Sequence, residues 1–178
     1  MEIDGREEIC HVRNTGRCRE LLTKMAQVYL EKSDNLKRKT QYSLVAVQKG
    51  NMLVNMDFQA PNKVVAEWLR EKDPFGRILS LRPECRYGTS RLDFYMETAD
   101  KKVFIEVKGV TLEENGVVRF SDAPMERGIK HLQELIRCKQ ERYTAIIIFV
   151  IQMAGAKYFE PNKLHTRFTE ALREAHAV

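Results

Sequence analysis

Between Arg91 and Gly109 the chain alternates hydrophobic and polar positions, breaks, and alternates again. Leu92, Phe94 and Met96 fall on one side and Arg91, Asp93 and Tyr95 on the other; past the break Val103, Ile105 and Val107 alternate with Phe104, Glu106 and Lys108. A period of two is that of a β-strand, so the stretch predicts a hairpin. A loop centred between Ala99 and Asp100 places opposite one another residues whose numbers add to 199. Leu92 then faces Val107, Phe94 faces Ile105 and Met96 faces Val103, one wholly apolar face. Burial of that face sets the register, because a slip of one residue would turn it to water.

Elsewhere the pattern changes period. Residues 1–58 read as several short strands, with Val28-Tyr29-Leu30 following a turn of helix at Glu20–Met25 and a hairpin at Gly50-Asn51 between "YSLVAVQ" and "MLVNMDF". That suits a small β-barrel of the OB type. From Pro61 the period becomes helical: Val64, Val65, Trp68 and Leu69 share a face, with Asn62 or a neighbour as cap and "DPFG" as the stop. After "RILSLRPECRYG" and the Arg91–Gly109 hairpin comes a tight Asn115-Gly116 turn. A helix follows, capped by Asp122 with Pro124 in its first turn and a stripe of Ile129, Leu132, Leu135 and Ile136. "TAIIIFVIQ" is a strand covered on both faces, and "LHTRFTEALREAHAV" is a last helix. The expected fold is therefore α+β or α/β: a β-rich domain over 1–58, then over 59–178 a mixed sheet with an αβββαβ core, the crossover helix making the isoleucine-rich strand parallel to Val103–Lys108.

Composition narrows the class only mildly. With 178 residues, 43% hydrophobic and 31% charged, the chain is an ordinary globular protein. No apolar run reaches bilayer length and no signal-peptide pattern opens the chain, so a cytoplasmic location and no membrane partner are expected. Cys10, Cys18, Cys85 and Cys138 lack zinc spacing and read as reduced thiols. A net charge of +5 favours a polyanionic partner. Two basic clusters stand out as phosphate contacts or plain solvated loops: Arg13, Arg17 and Arg19 around a glycine, and Lys37, Arg38 and Lys39 between strands.

The chemistry concentrates in the hairpin. Asp93 lands across from Glu106, and like charges placed so are destabilising; two carboxylates with Lys108 beside them could hold a divalent cation and a phosphate. Without a cation, relief of that repulsion predicts that Glu106→Gln is neutral or stabilising. Equally, Arg91 and Lys108 sit diagonally from Glu106 and Asp93, and four such charges on a wet sheet face fit a checkerboard of surface ion pairs worth little each. Arg127 and His131, four apart on the crossover helix, fit either a phosphate contact or a surface pair. Gln152 either bonds within the site or ends its strand. No Gly-rich phosphate loop or nucleophile triad is present.

The spacing of Asp93 from Glu-Val-Lys resembles the PD-(D/E)XK, or restriction-endonuclease-like, fold, and longer words carry a closer likeness. "NTGR", "RYGTSRLDF", "EVKGVTL", "DAPMERGIKHL" and the stretch to "YFEP" resemble the sugar fermentation stimulation protein A family along essentially the whole chain. The resemblance implies an OB-like domain, then a restriction-endonuclease-like domain, in a DNA-binding protein linked to regulation of sugar metabolism. It implies that Asp93 and Glu106 bind Mg²⁺ or Mn²⁺ with the Val107 carbonyl, and that Lys108 orients the attacking water. Glu67 stands where many such enzymes supply a further carboxylate, or is a solvated glutamate. Family members also lead to the expectation of a missing first OB strand and of more chain after Val178. Two functions stay open, a metal-dependent deoxyribonuclease and a non-catalytic DNA-binding regulator that retains the fold.

Overall fold

A computed structural model describes residues 1–14, 16–120 and 126–178; the expected Asp122 cap and Pro124 lie outside them. Six strands come first: β1 (Glu2–Ile3), β2 (Arg6–Glu7), β3 (Cys10–Val12), β4 (Val28–Lys32), β5 (Tyr42–Lys49) and β6 (Met52–Asn55). β5 is the spine of this region. β4 runs antiparallel along one edge, while β3 (parallel) and β6 (antiparallel) follow one another along the other. Among the described residues these pairings bend the sheet without closing a ring. Leu44, Val47, Val54 and Met56 bury one face against Cys18 and Leu21. The expected helical turn at Glu20–Met25 is a set of turns instead: one bond of helical spacing, Leu22 N to Cys18 O, is not continued. Cys18 and Met25 bracket the segment at φ +43° and +65°, a backbone region that ends helices.

Helix α1 (Ala60–Lys72) opens the second region with Pro61 in its first turn and is capped by Gln59 without a side-chain bond, so Asn62 is not the cap. Its buried face is Pro61, Val65 and Leu69, and burial of two such aliphatic side chains stabilises the docking by roughly 1.5–3 kcal/mol each. Val64 and Trp68, expected on that face, are 52% and 39% exposed. Each lies one position from the buried stripe, and a rotation of 100° per residue carries it to the flank.

Strands β7 (Ile78–Tyr87), β8 (Ser90–Thr98), β9 (Lys102–Val110) and β12 (Thr144–Ile151) form the main sheet in the order β12-β9-β8-β7, with β12 parallel to β9 and the other pairs antiparallel. Between β9 and β12 come β10 (Leu112–Glu114), β11 (Val117–Phe120) and helix α2 (Glu126–Gln140). The β10–β11 turn has Asn115 and Gly116 at φ +54° and +83°, as a tight hairpin of primed type needs. β11 is also joined in parallel by β13 (Tyr158–Pro161), and α3 (Thr166–Ala177) closes the chain.

The β8–β9 register is the expected one: Phe94 pairs Ile105, Tyr95 pairs Phe104 and Met96 pairs Val103. Both faces of that hairpin are dry. Phe94, Met96, Val103, Ile105 and Val107 pack under α1, and Tyr95 and Phe104 pack under Leu135 and Cys138 of α2. The solvated checkerboard is excluded, since Glu106 is only 2% exposed. Leu92 breaks the expected alternation by joining the α2 cluster rather than that of Phe94. On β7 the switch recurs between Leu81, packed with the α1 cluster, and Cys85, packed with the α2 cluster. Between them Glu84 has φ +52°. Both strands thus kink at the level of Asp93, which re-aims that side chain.

Candidate functional site

β9 and α2 bring Glu106, Lys108 and His131 together. Glu106 Oε1 accepts from Lys108 Nζ, and from His131 Nδ1 at 2.5 Å. Arg127 Nε lies 3.5 Å from His131 Nε2, an arrangement in which Nε2 accepts and the ring proton sits on Nδ1. Glu106 Oε2 is buried with no hydrogen-bond partner. Burial by itself would push this carboxyl up, but the His131 bond and the Lys108 charge outweigh it and hold Glu106 below the usual value.

Asp93 sits where the β8–β9 ladder ends. Its Oδ2 accepts the Val107 N–H at 2.7 Å, standing in for a strand carbonyl, and its Oδ1 accepts from Asn62 Nδ2 at 2.8 Å. Burial raises its pKa, the Glu106 charge raises it further, and the Val107 and Asn62 bonds and the Lys108 charge only partly oppose this. Two neighbouring carboxylates are therefore driven in opposite directions, a pattern typical of functional sites. Among the described residues no three His, Cys, Asp or Glu side chains converge as a metal-ligand cluster. The donors here are two carboxylates and the backbone at Val107. An orphaned buried carboxylate oxygen beside a second carboxylate fits a hard divalent cation.

The other expected residues scatter. Glu67 is exposed on α1, five residues or about 140° around the helix from Asn62, so α1 brings Asn62 to Asp93 and not Glu67. His131 is 6% exposed and is no surface pair; Arg127 beside it is exposed. Arg13 is held by Glu31 at 2.5 Å and by Asp57 at 3.3 Å. Arg17 and Arg19 are exposed at the following turn. Lys37 and Lys39 are exposed, whereas Arg38 donates to Ser43 Oγ at 2.9 Å.

Two residues matter more than their sequence suggested. Asn62 looks like any polar residue near a helix start, and nothing in its spacing tells that it faces a strand carboxylate 31 positions on. Gln152, just past β12, joins the two regions: its side-chain nitrogen donates to Asn55 O at 3.1 Å and Asp57 O at 3.3 Å. The junction closes against Gly109, where a β-carbon would stand 2.1 Å from Gln152 Oε1 and 2.8 Å from Pro61 Cγ. Lys49 adds a further tie, bonding the carbonyl and, at 2.7 Å, the carboxylate of Glu113. The strand that carries Glu106 and Lys108 thus ends at the contact between the regions.

Comparison with known proteins places this architecture. The model of the SfsA N-terminal OB domain matches residues 1–56, and that of the sugar fermentation stimulation protein RE domain matches residues 59–178. A sugar fermentation stimulation protein homolog of Clostridium beijerinckii is 55% identical over 98% of this chain and 78% of its own length. One from Ruminiclostridium cellulolyticum is 53% identical over 99% of this chain and 78% of its own. Among solved structures, Pyrococcus furiosus SfsA in complex with Ca²⁺ superposes with a TM-score of 0.87 at 27% identity, covering 98% of this chain and 76% of that one. An OB-like region followed by a mixed-sheet region, matched over both parts at this identity, means that the chain belongs to the sugar fermentation stimulation protein family.

Proposed function

We propose that this protein binds DNA and hydrolyses its phosphodiester bonds at a divalent-cation site built on Asp93 and Glu106. The observation that carries the reading is Glu106 Oε2, buried without a partner beside a second carboxylate whose pKa is raised. The Ca²⁺ complex of the Pyrococcus furiosus relative supports a divalent occupant, and Mg²⁺ or Mn²⁺ is the working ion proposed here. Held by Asp93, Glu106 and the Val107 carbonyl, such an ion would lower the pKa of a bound water and draw charge from a phosphate oxygen. Lys108, largely buried on the same strand, presents an ammonium that steadies charge on the phosphate. His131 fixes the orientation of Glu106 through its Nδ1–H bond, as a partner of a metal-binding carboxylate does. The OB-like region supports a nucleic-acid substrate, because the strands and loops of such modules bind single strands.

Purified protein should cut supercoiled, linear or single-stranded DNA with Mg²⁺ or Mn²⁺, be silent in EDTA, and lose both cleavage and calorimetric Mn²⁺ binding in Asp93→Asn. Equal Mn²⁺ binding by wild type and Asp93→Asn removes the site from this position. A second reading, a non-catalytic DNA-binding regulator of sugar metabolism, is favoured by Lys108 and His131 already satisfying Glu106 Oε1 without a cation. Salt-dependent DNA binding with no cleavage under any cation would select it.

A further inference from the structure

The β7–β8 hairpin carries a charge arrangement that its own fold does not resolve. Arg86 and Arg91 are directly paired across it, both exposed, and like charges in that position repel. Arg91 Nη1 has Glu84 Oε2 at 3.3 Å, a pair in which both side chains are about two-thirds exposed and which water screens. Arg86 has no ion pair or hydrogen bond from its side chain among the described residues. A cross-strand arginine pair with one exposed acid for two cations is a surface short of negative charge.

Its position is set firmly. Cys85, Tyr87 and Leu92 all turn to the cluster under α2, so by alternation Arg86 and Arg91 point to the opposite side of the ribbon. Past the kink Asp93 lies on that same side, reached by Asn62 of α1, two residues or about 6.6 Å along the strand from Arg91. The tip itself is anchored. Buried Glu134 accepts from Thr89 N at 3.3 Å and Thr89 Oγ1 at 3.1 Å, and Lys130 donates to Thr89 O at 3.2 Å. Gly88 lets the tip close on that carboxylate, since a β-carbon there would stand 2.8 Å from Glu134 Oε2. The two guanidiniums are thus presented on a rigid turn beside Asp93.

We infer that Arg86 and Arg91 form a binding site for a backbone phosphate of duplex DNA, two residues along the strand from Asp93 of the proposed cation site. The inference rests on the DNA reading above and names the part of the surface that grips the substrate. Forked guanidinium donors suit phosphate oxygens, and an anion between them removes the repulsion that the pairing creates.

The test is binding of a short duplex in EDTA over a range of salt concentrations, by fluorescence anisotropy, for wild type, R86A, R86A/R91A and R86K/R91K, with Mn²⁺ calorimetry and thermal unfolding of each. Loss of both contacts should lower the slope of log affinity against log salt by about 0.9 for each contact. The lysine variant should keep most of the slope, because a point charge still meets a phosphate. Mn²⁺ binding should be unchanged in both, and the unfolding midpoint of R86A should be equal to or above that of wild type. An unchanged slope in R86A/R91A while wild type binds duplex overturns this site and leaves the DNA reading standing. A lowered midpoint in R86A, or a slope lost equally in the lysine variant, assigns the pair to structure and overturns it too. A wild type that binds no duplex takes down the DNA reading and this site together.

Discussion

Two charged networks in this chain use the same residue types and end in different states. In the N-terminal region Arg13 lies between Glu31 and Asp57, and each charge has a partner. In the main sheet Glu106, Lys108 and His131 share one carboxylate oxygen while the other is left buried and unpaired, with Asp93 alongside. A saturated network holds parts of a fold together and has nothing left to offer a ligand. A network with a desolvated acceptor to spare holds free energy that an incoming cation or donor can recover. By this criterion the Asp93–Glu106 group is the better candidate for a ligand site than Arg13, whose guanidinium is engaged by Glu31 and Asp57 within the fold.

The comparison can be broken most forcefully at Glu106. Without a cation, Glu106→Ala should lose about 3–5 kcal/mol of stability in urea unfolding with EDTA, because it leaves Lys108 and His131 buried without their common partner. Repulsion from Asp93 alone favours a neutral Glu106→Gln, whereas the structure adds two donors, the Lys108 ammonium and the His131 Nδ1–H, that the carboxylate satisfies. A neutral Glu106→Ala would mean that the group is loosely solvated. Next, Lys108→Ala should cut turnover by roughly 10²-fold with DNA affinity little changed, as for one preorganised contact to the transition state, measured under single-turnover conditions. Equal losses in binding and rate would make Lys108 part of the grip.

A smaller effect comes from the tie between the two regions. Lys49 and the Gly116 N–H hold Glu113 below the usual carboxylate value, and its side chain is 5% exposed. A depressed folded pKa contributes stability that is present above the unfolded value of the glutamate and is lost as pH falls through the folded one. Glu113→Gln should therefore be about 1–2 kcal/mol less stable than wild type at pH 7, and the gap should close in acid. A gap that persists unchanged to low pH would locate the cost in packing. Smallest of all, Arg13→Ala should cost about 1 kcal/mol, since the 2.5 Å pair with half-exposed Glu31 is screened by water and only Asp57 is left largely buried, and should leave the salt dependence of DNA binding as it is. A flatter salt plot for Arg13→Ala would return that residue to the DNA surface.

The hairpin register, the Asn115-Gly116 turn, the helix after Pro61 and the parallel placement of the isoleucine-rich strand were all legible in the chain. Each depends on neighbours in sequence or on a period that burial enforces along a whole element. Asp93, Glu106 and Lys108 could be picked out for the same reason, as charges set in an apolar run. Long-range packing decided the rest. Whether the face carrying Glu106 met water or α2 was open in the pattern, because a sheet with polar residues on one side reads alike in both cases. Helix α2 covered it and made His131, which resembled a surface residue, a buried partner of Glu106. The kink opposite Glu84 turned Leu92 and Asp93 to sides that strict alternation denies them. Asn62 took the place expected for Glu67 because the buried stripe of α1 fixed its rotation on the sheet. Periodicity is a property of a segment and so is written in it, whereas the rotation of a helix, a kink shared by two strands and the dielectric around a carboxylate belong to the packed pair and exist only once both partners are in place.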